Sequence, residues 1–237
     1  MATSQTQISA KTLGSLALRG FCPRCFWIQT HAKKLPYQIF PGIFSSIDSF
    51  SKRLIHSWFD LEGKAPRWLE GIGKIKSYRN PPSAANFHVL DSQTSIKLTG
   101  APDGILVMED GSLVIIDYKT ARFTAHQDEL FPMYEAQLNA YAHIGKQVWK
   151  EPVSALALVY TEPATDDASA RNAANRSDNG FRLPFIANIV PVDIKSGLVP
   201  KLLSQAKHIL DFPVAPAGRD GCQDCELLAR LLELSSI

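Results

Sequence analysis

Asp103, Asp117 and Lys119 stand in or beside the two aliphatic runs of GAPDGILVMEDGSLVIIDYKTAR, residues 100–122. An ionised group in an apolar strand is costly unless a partner such as a metal ion compensates it. The runs 104–109 and 112–119 read as two strands joined around Glu109-Asp110-Gly111. With a three-residue loop and Gly111 in the left-handed conformation, Met108 pairs with Ser112, and counting back sets Asp103 opposite Asp117. Lys119 then projects from the same face, because strand side chains alternate with period two. A two-residue Asp110-Gly111 turn would shift the pairing by one and send the aspartates to opposite faces.

Two adjacent carboxylates repel, and one holds a proton unless a cation neutralises them. Mg²⁺ meets that need: it is commonly held by one or two carboxylates, with water and substrate phosphate completing its octahedron. The ion lowers the pKa of a bound water, and a nearby ammonium orients that water or offsets charge developing on phosphorus. Asp, Asp and Lys are therefore the groups that phosphodiester hydrolysis requires. Alone, the same residues serve equally as the solvated strand ends of a surface hairpin.

Other elements must position this hairpin. Residues 13–31 read as a helix with a kink or start near Pro23, and 43–60 as a long amphipathic helix with Ile43, Ile47, Phe50, Leu54 and Trp58 on its apolar face. Lys52, Arg53 and His56 lie on its other face. The Gly-, Pro-, Lys- and Arg-rich stretch 61–86 reads as irregular and 87–99 as a strand. MYEAQLNAYAHIGKQVW carries a helical pattern ending near Gly145 or just beyond. Strands near 154–160 and 182–193 flank a polar insert at 161–181 with the composition of a mobile loop. A helix at 196–210 and a short terminal helix complete the chain.

Pro102-Asp103 followed by Asp117-Tyr118-Lys119 resembles the PD-(D/E)xK nuclease motif, and Gln137-Leu-Asn-Ala-Tyr141 resembles the Q-x-x-x-Y signature of its RecB-like branch. That branch includes helicase-associated nucleases and the iron–sulfur nucleases of CRISPR adaptation. The resemblance implies an α/β fold with a restriction-endonuclease-like core, in which a central mixed sheet is flanked by helices. It further implies one nuclease-like domain over 1–237, with core 87–193 and helical flanks 13–60 and 196–237. It implies a Mg²⁺- or Mn²⁺-dependent deoxyribonuclease with Asp103, Asp117, Lys119, Gln137 and Tyr141 as catalytic residues. Residues i and i+4 share a helix face, so Gln137 and Tyr141 can both address the hairpin or a DNA strand lying on it. Asp48, Asp103, Asp117 and Tyr118 are the metal ligands carried over. In the family a His of a Gly-x-x-x-His pattern often supplies the ligand from the earlier helix. Here Phe44-Ser-Ser-Ile-Asp48 puts Asp48 in its place, with His56, two turns on, as the alternative.

All four cysteines fall into two C-x-x-C pairs, Cys22/Cys25 near the start and Cys222/Cys225 near the end. Four thiolates suit zinc or an iron–sulfur cluster, but a local zinc ribbon keeps its pairs within a few tens of residues. Only a fold that joins the chain's two ends could unite these. Iron–sulfur members of the RecB-like branch clamp their ends in a similar way, which implies a [4Fe–4S] cluster here, with Zn²⁺ as the alternative. Buried small cysteines, or a redox disulfide within one pair, would leave the terminal pairing unexplained.

The 237 residues are 45% hydrophobic with a formal charge of +2, so affinity for an anionic partner must be local. Lys33-Lys34, Lys52-Arg53, Lys64, Arg67, Lys74, Lys76, Arg79 and Arg122, with Trp68, Tyr78 and Phe87 among several of them, match either a single-strand binding path or a solvated surface. No segment has the apolar length of a membrane span or the core of a secretory signal, so a cytoplasmic protein with reduced cysteines is expected. The leading expectation is a nuclease, an exonuclease on single-stranded DNA or DNA ends, in repair, recombination or defence, with a helicase or integrase as candidate protein partner. The alternative is a non-cutting DNA-binding or assembly module.

Overall fold

A computed structural model describes residues 6–32, 42–123 and 129–235. The chain begins with strand β1 (Gln7–Ser9), helix α1 (Ala10–Gly14) and helix α2 (Pro23–Ala32), followed by the long helix α3 (Gly42–Glu62). A 3₁₀ turn at Arg67–Ile72 leads into β2 (Ile75–Arg79), β3 (His88–Leu90) and β4 (Lys97–Thr99). Next come the hairpin β5 (Gly104–Met108) and β6 (Leu113–Lys119), helix α4 (Phe131–Val148) and β7 (Val153–Pro163). The last part comprises α5 (Asp167–Arg171), β8 (Arg176–Ser177), β9 (Gly180–Phe181), β10 (Phe185–Val192), α6 (Leu198–Leu210) and α7 (Gln223–Ser235).

The main sheet has five strands in the order β10-β7-β6-β5-β2, with β6 and β7 parallel and the other neighbours antiparallel. A parallel pair needs a crossover, which α4 supplies. β1, β4 and β3 form a small second sheet. Helices cover both faces. On one, α1, α2, α4 and α6 pack on alternate residues such as Ile115, Leu156 and Leu158. On the other, Ile55 and Phe59 of α3 and Leu69 pack against Val114, Ile116 and Tyr118. β6 is covered on both faces, which explains its nearly continuous aliphatic sequence.

Several boundaries differ from those the sequence predicts. Residues 13–22 do not continue into α2: Ser9 caps α1 through the Thr12 N–H, the chain leaves the helix at Leu18, and α2 starts at Pro23, whose fixed φ suits a first helical position. The stretch 61–86 contains β2, an edge strand too polar to stand out by alternation. The expected strand 87–99 is two strands, β3 and β4, joined by a turn in which Asp91 accepts from Thr94 N–H and Oγ1. The insert 161–181 carries α5, capped by Asp166, and the β8–β9 hairpin. Among the described residues no helix is long and apolar enough to cross a membrane.

Candidate active site

The loop of the central hairpin has the longer form. The Gly111 N–H donates to Met108 O, the Met108 N–H to Ser112 O, and Gly111 has φ +83°. Gly104 therefore faces Ile116 and Leu106 faces Val114. Continued by one residue, this register brings Asp103 opposite Asp117, where Asp103 Oδ2 accepts the Tyr118 N–H at 3.0 Å. A residue without a Cβ strain penalty at position 111 thus fixes the meeting of two carboxylates at the far end of the hairpin.

Asp117 is 2% exposed on the central strand. Burial drives its carboxyl up to about 6; the Asp103 charge adds to the rise, and Lys119 and Lys52 oppose it. Its Oδ1 accepts from Gln137 Nε2 at 3.2 Å. The Lys119 ammonium lies against Oδ2 as a charge-assisted contact, which works against the rise that burial imposes on this carboxyl. Two carboxylates meeting at the end of a hairpin are the oxygen donors a hard divalent ion takes.

Helix α4 supplies the wall behind the pair. Gln137 Nε2 also donates to Tyr141 Oη at 2.8 Å, and both side chains are buried. Gln137 addresses Asp117 directly and Tyr141 through Gln137, and both line the same cleft as the carboxylates. Gly100 makes room for the Tyr141 ring: a Cβ there would lie 2.7 Å from it. Tyr134, one turn before Gln137, sets its ring 4.1 Å from the Lys119 ammonium, a cation–π contact that orients the lysine.

Helix α3 closes the site from the other side, with the face opposite to the one expected. Ile43, Phe50, Leu54 and Trp58 are exposed, whereas Ile55 and Phe59 are buried. This rotation directs Asp48 and Lys52 to the hairpin. Lys52 Nζ lies 2.8 Å from Asp48 Oδ2 and 2.6 Å from Asp103 Oδ1. Burial alone would lower the Lys52 pKa, but its hydrogen bonds to Asp103 and Asp48 outweigh that and raise it. The ammonium thus joins the two carboxylates. His56 stacks on Tyr78 at 4.2 Å between centroids, and Tyr78 donates to Asp60. The Tyr118 ring is buried in the α3 layer, where burial and the Asp103 and Asp48 charges push its phenol up, while its backbone N–H bonds Asp103.

Asp103, Asp117, Lys119, Tyr134, Gln137 and Tyr141 line an open cleft of about 560 Å³, shared with Ser9 and Lys11 of the N-terminal segment; Asp48 and Lys52 reach it only through Asp103. Lys11, Lys52 and Tyr134 are site residues that the spacing of the motifs left out. Tyr134 was readable at i−3 from Gln137, on one helix face with it. Lys52 belongs by sequence to the polar face of 43–60, and the orientation of α3 brings it to Asp103. Of the other basic and aromatic candidates, Phe87 is fully buried and stacks on Trp149, so it cannot receive a base. Arg79 pairs with Glu151. Lys33 and Lys34 lie outside the described residues.

The four cysteines meet outside the lining of this cleft. Cys22 immediately precedes α2 and Cys25 lies in its first turn; Cys222 and Cys225 stand in the same relation to α7. All four sulfurs lie within 4.8 Å of one another. Burial works to raise the Cys22 pKa, yet the N–H groups of Arg219 and Cys25 and the neighbouring thiols bring it down to about 6. Burial and the other thiols push Cys25 up, and burial, opposed by Cys25 but aided by Cys22 and Cys222, pushes Cys225 up. One thiolate forms readily and then disfavours its neighbours, a conflict a bound cation removes.

No curated protein sequence matches the chain. Among solved structures, one described as "Crystal structure of SSO0001" is similar at 14% identity and a TM-score of 0.42, covering 90% of this chain and 81% of the other. The model of the PD-(D/E)XK nuclease superfamily matches residues 47–230, from α3 through the hairpin and α4 into α7. With that match spanning most of its length, the chain belongs to the PD-(D/E)XK nuclease superfamily.

Proposed function

We propose that the protein is a divalent-metal-dependent deoxyribonuclease of the RecB-like branch, acting on single strands or DNA ends, as an exonuclease rather than an endonuclease. The observation that carries this reading is the buried Asp117, set against Asp103 and Lys119 in an open cleft. Asp103 and Asp117 would hold Mg²⁺ or Mn²⁺, with Asp48 and the Tyr118 backbone as additional ligand positions. When bound, the ion supplies Lewis acidity and an activated water.

The chain's own groups do the rest. Gln137 fixes Asp117 in one rotamer, and Tyr141 fixes Gln137. Lys119, steadied by the Tyr134 ring, presents an ammonium where negative charge builds on the phosphoryl oxygens. Lys11, exposed on the rim, is positioned for a phosphate of the bound strand. A cleft of about 560 Å³ is of small-molecule size, in the range of roughly 300–1,000 Å³.

A second reading, a nuclease fold used as a non-cutting DNA-binding module, is favoured by one observation: the Lys52 ammonium already neutralises Asp48 and Asp103. Incubation of end-labelled single-stranded DNA with the purified protein and Mg²⁺ or Mn²⁺ separates the two. Metal-dependent cleavage that disappears in Asp117→Asn and Lys119→Met supports the nuclease. Well-folded protein that binds DNA and does not cut supports the module.

A further inference from the structure

We infer that the four cysteines hold a single tetrahedral zinc ion and not a [4Fe–4S] cluster. The carrying observation is the spacing of the sulfurs. Cys22 Sγ lies 3.6 Å from Cys225 Sγ, Cys25 Sγ lies 3.6 Å from Cys222 Sγ, and Cys25 Sγ lies 3.5 Å from Cys225 Sγ. Ligands at about 2.3 Å from one tetrahedral ion stand about 3.8 Å apart, close to the 3.5–3.6 Å of these three contacts and inside the 4.8 Å that bounds all four sulfurs. A four-iron cluster instead interposes a cube of iron and sulfide between its thiolates. Thiolates at its corners stand much farther apart than sulfurs already in mutual contact.

The surroundings are built around the sulfurs at these positions. A Cβ on Gly218 would lie 2.9 Å from Cys225 Sγ, so the absence of a side chain there leaves the space the sulfur occupies. The Arg219 N–H points at Cys22 Sγ at 3.3 Å, an outer-shell hydrogen bond of the kind that orients a metal ligand. The two pairs enter from the N-termini of α2 and α7, whose positive dipole ends favour thiolates. With an ion bound, residues 22 and 225 become one cross-link enclosing nearly the whole chain, and binding energy becomes folding energy. None of the four cysteines lines the cleft that holds Asp117, so this inference stands or falls independently of the catalytic reading.

The test is metal and sulfide analysis of the full-length chain purified anaerobically from cells supplied with both iron and zinc. One zinc per chain, without acid-labile sulfide and without the broad visible absorption of an iron–sulfur cluster, is expected. Four irons with matching sulfide, a lone iron, or a metal-free protein with free thiols or disulfides would each overturn the inference. Two variants add readouts that do not depend on cleavage. Cys225→His should keep one zinc per chain, since three cysteines and one histidine also make a structural zinc site. Gly218→Ala should release zinc to a competing chelator at least about tenfold faster by displacing Cys225; wild-type retention in Gly218→Ala together with zinc loss in Cys225→His contradicts the proposed geometry.

Discussion

Lys52 Nζ lies 2.6 Å from Asp103 Oδ1, on the carboxylate whose other oxygen accepts the Tyr118 N–H. The same ammonium bonds Asp48, so it occupies the space between two acidic groups that a divalent ion would share. An internal cation of this kind keeps like charges together in the absence of metal and competes with metal when it arrives. Lys52→Met should therefore bind Mn²⁺ about tenfold more tightly than wild type, equivalent to ~1.4 kcal/mol, in a calorimetric titration. Unchanged or weaker binding would mean that Lys52 supports the metal site instead of opposing it.

The raised Asp117 pKa sets a pH dependence with a definite sign. Between the ordinary carboxylate value and about 6, the folded metal-free chain binds this proton and the unfolded chain does not. Stability contributed by this group thus falls as pH rises through that window. Asp117→Asn removes the titration, so its Tm advantage over wild type should widen from about pH 4 to about pH 7 in thermal melts. Mn²⁺ affinity should move the opposite way in wild type, rising with pH and levelling above about 6, because the ion must displace the proton.

Gln137 touches both Asp117 and Tyr141, and removing it should be read in metal affinity and turnover alike. Gln137→Leu should lower one or both by roughly 10–100-fold, the usual scale for residues that orient a metal ligand. Tyr141→Phe loses only the oxygen that accepts from Gln137 and should cost about 1 kcal/mol of stability, with a smaller effect on cleavage. Chemical denaturation and single-turnover kinetics on the two variants check the ranking. A larger activity loss in Tyr141→Phe than in Gln137→Leu would assign Tyr141 a direct role.

The hairpin and its carboxylate pair were legible because they depend on local rules: loop length, one glycine at positive φ, and period-two alternation. The spacing of Gln137 and Tyr141 also located the wall behind Asp117. The orientation of α3 was not legible. Its wider apolar stripe, Ile43 to Trp58, suggests burial, yet Asp48, Lys52, Ile55 and Phe59 face the sheet. Helix periodicity measures amphipathicity and contains no term for an acidic partner at the sheet end, and that partner draws Lys52 inward. β2 escaped notice for a related reason: Ile75-Lys-Ser-Tyr-Arg79 is an edge strand whose pairing with β5 is a long-range fact. The cysteine pairs announced their own meeting, but the spacing that distinguishes one ion from a cluster exists only in three dimensions.

The most direct measurement is anomalous diffraction from crystals of the protein soaked in Mn²⁺. A strong peak coordinated by both Asp103 and Asp117, with Lys52 displaced from Asp103, is the result the account predicts. A fully ordered site with Mn²⁺ bound elsewhere, or with Lys52 still joining Asp48 to Asp103 at saturating ion, would contradict it.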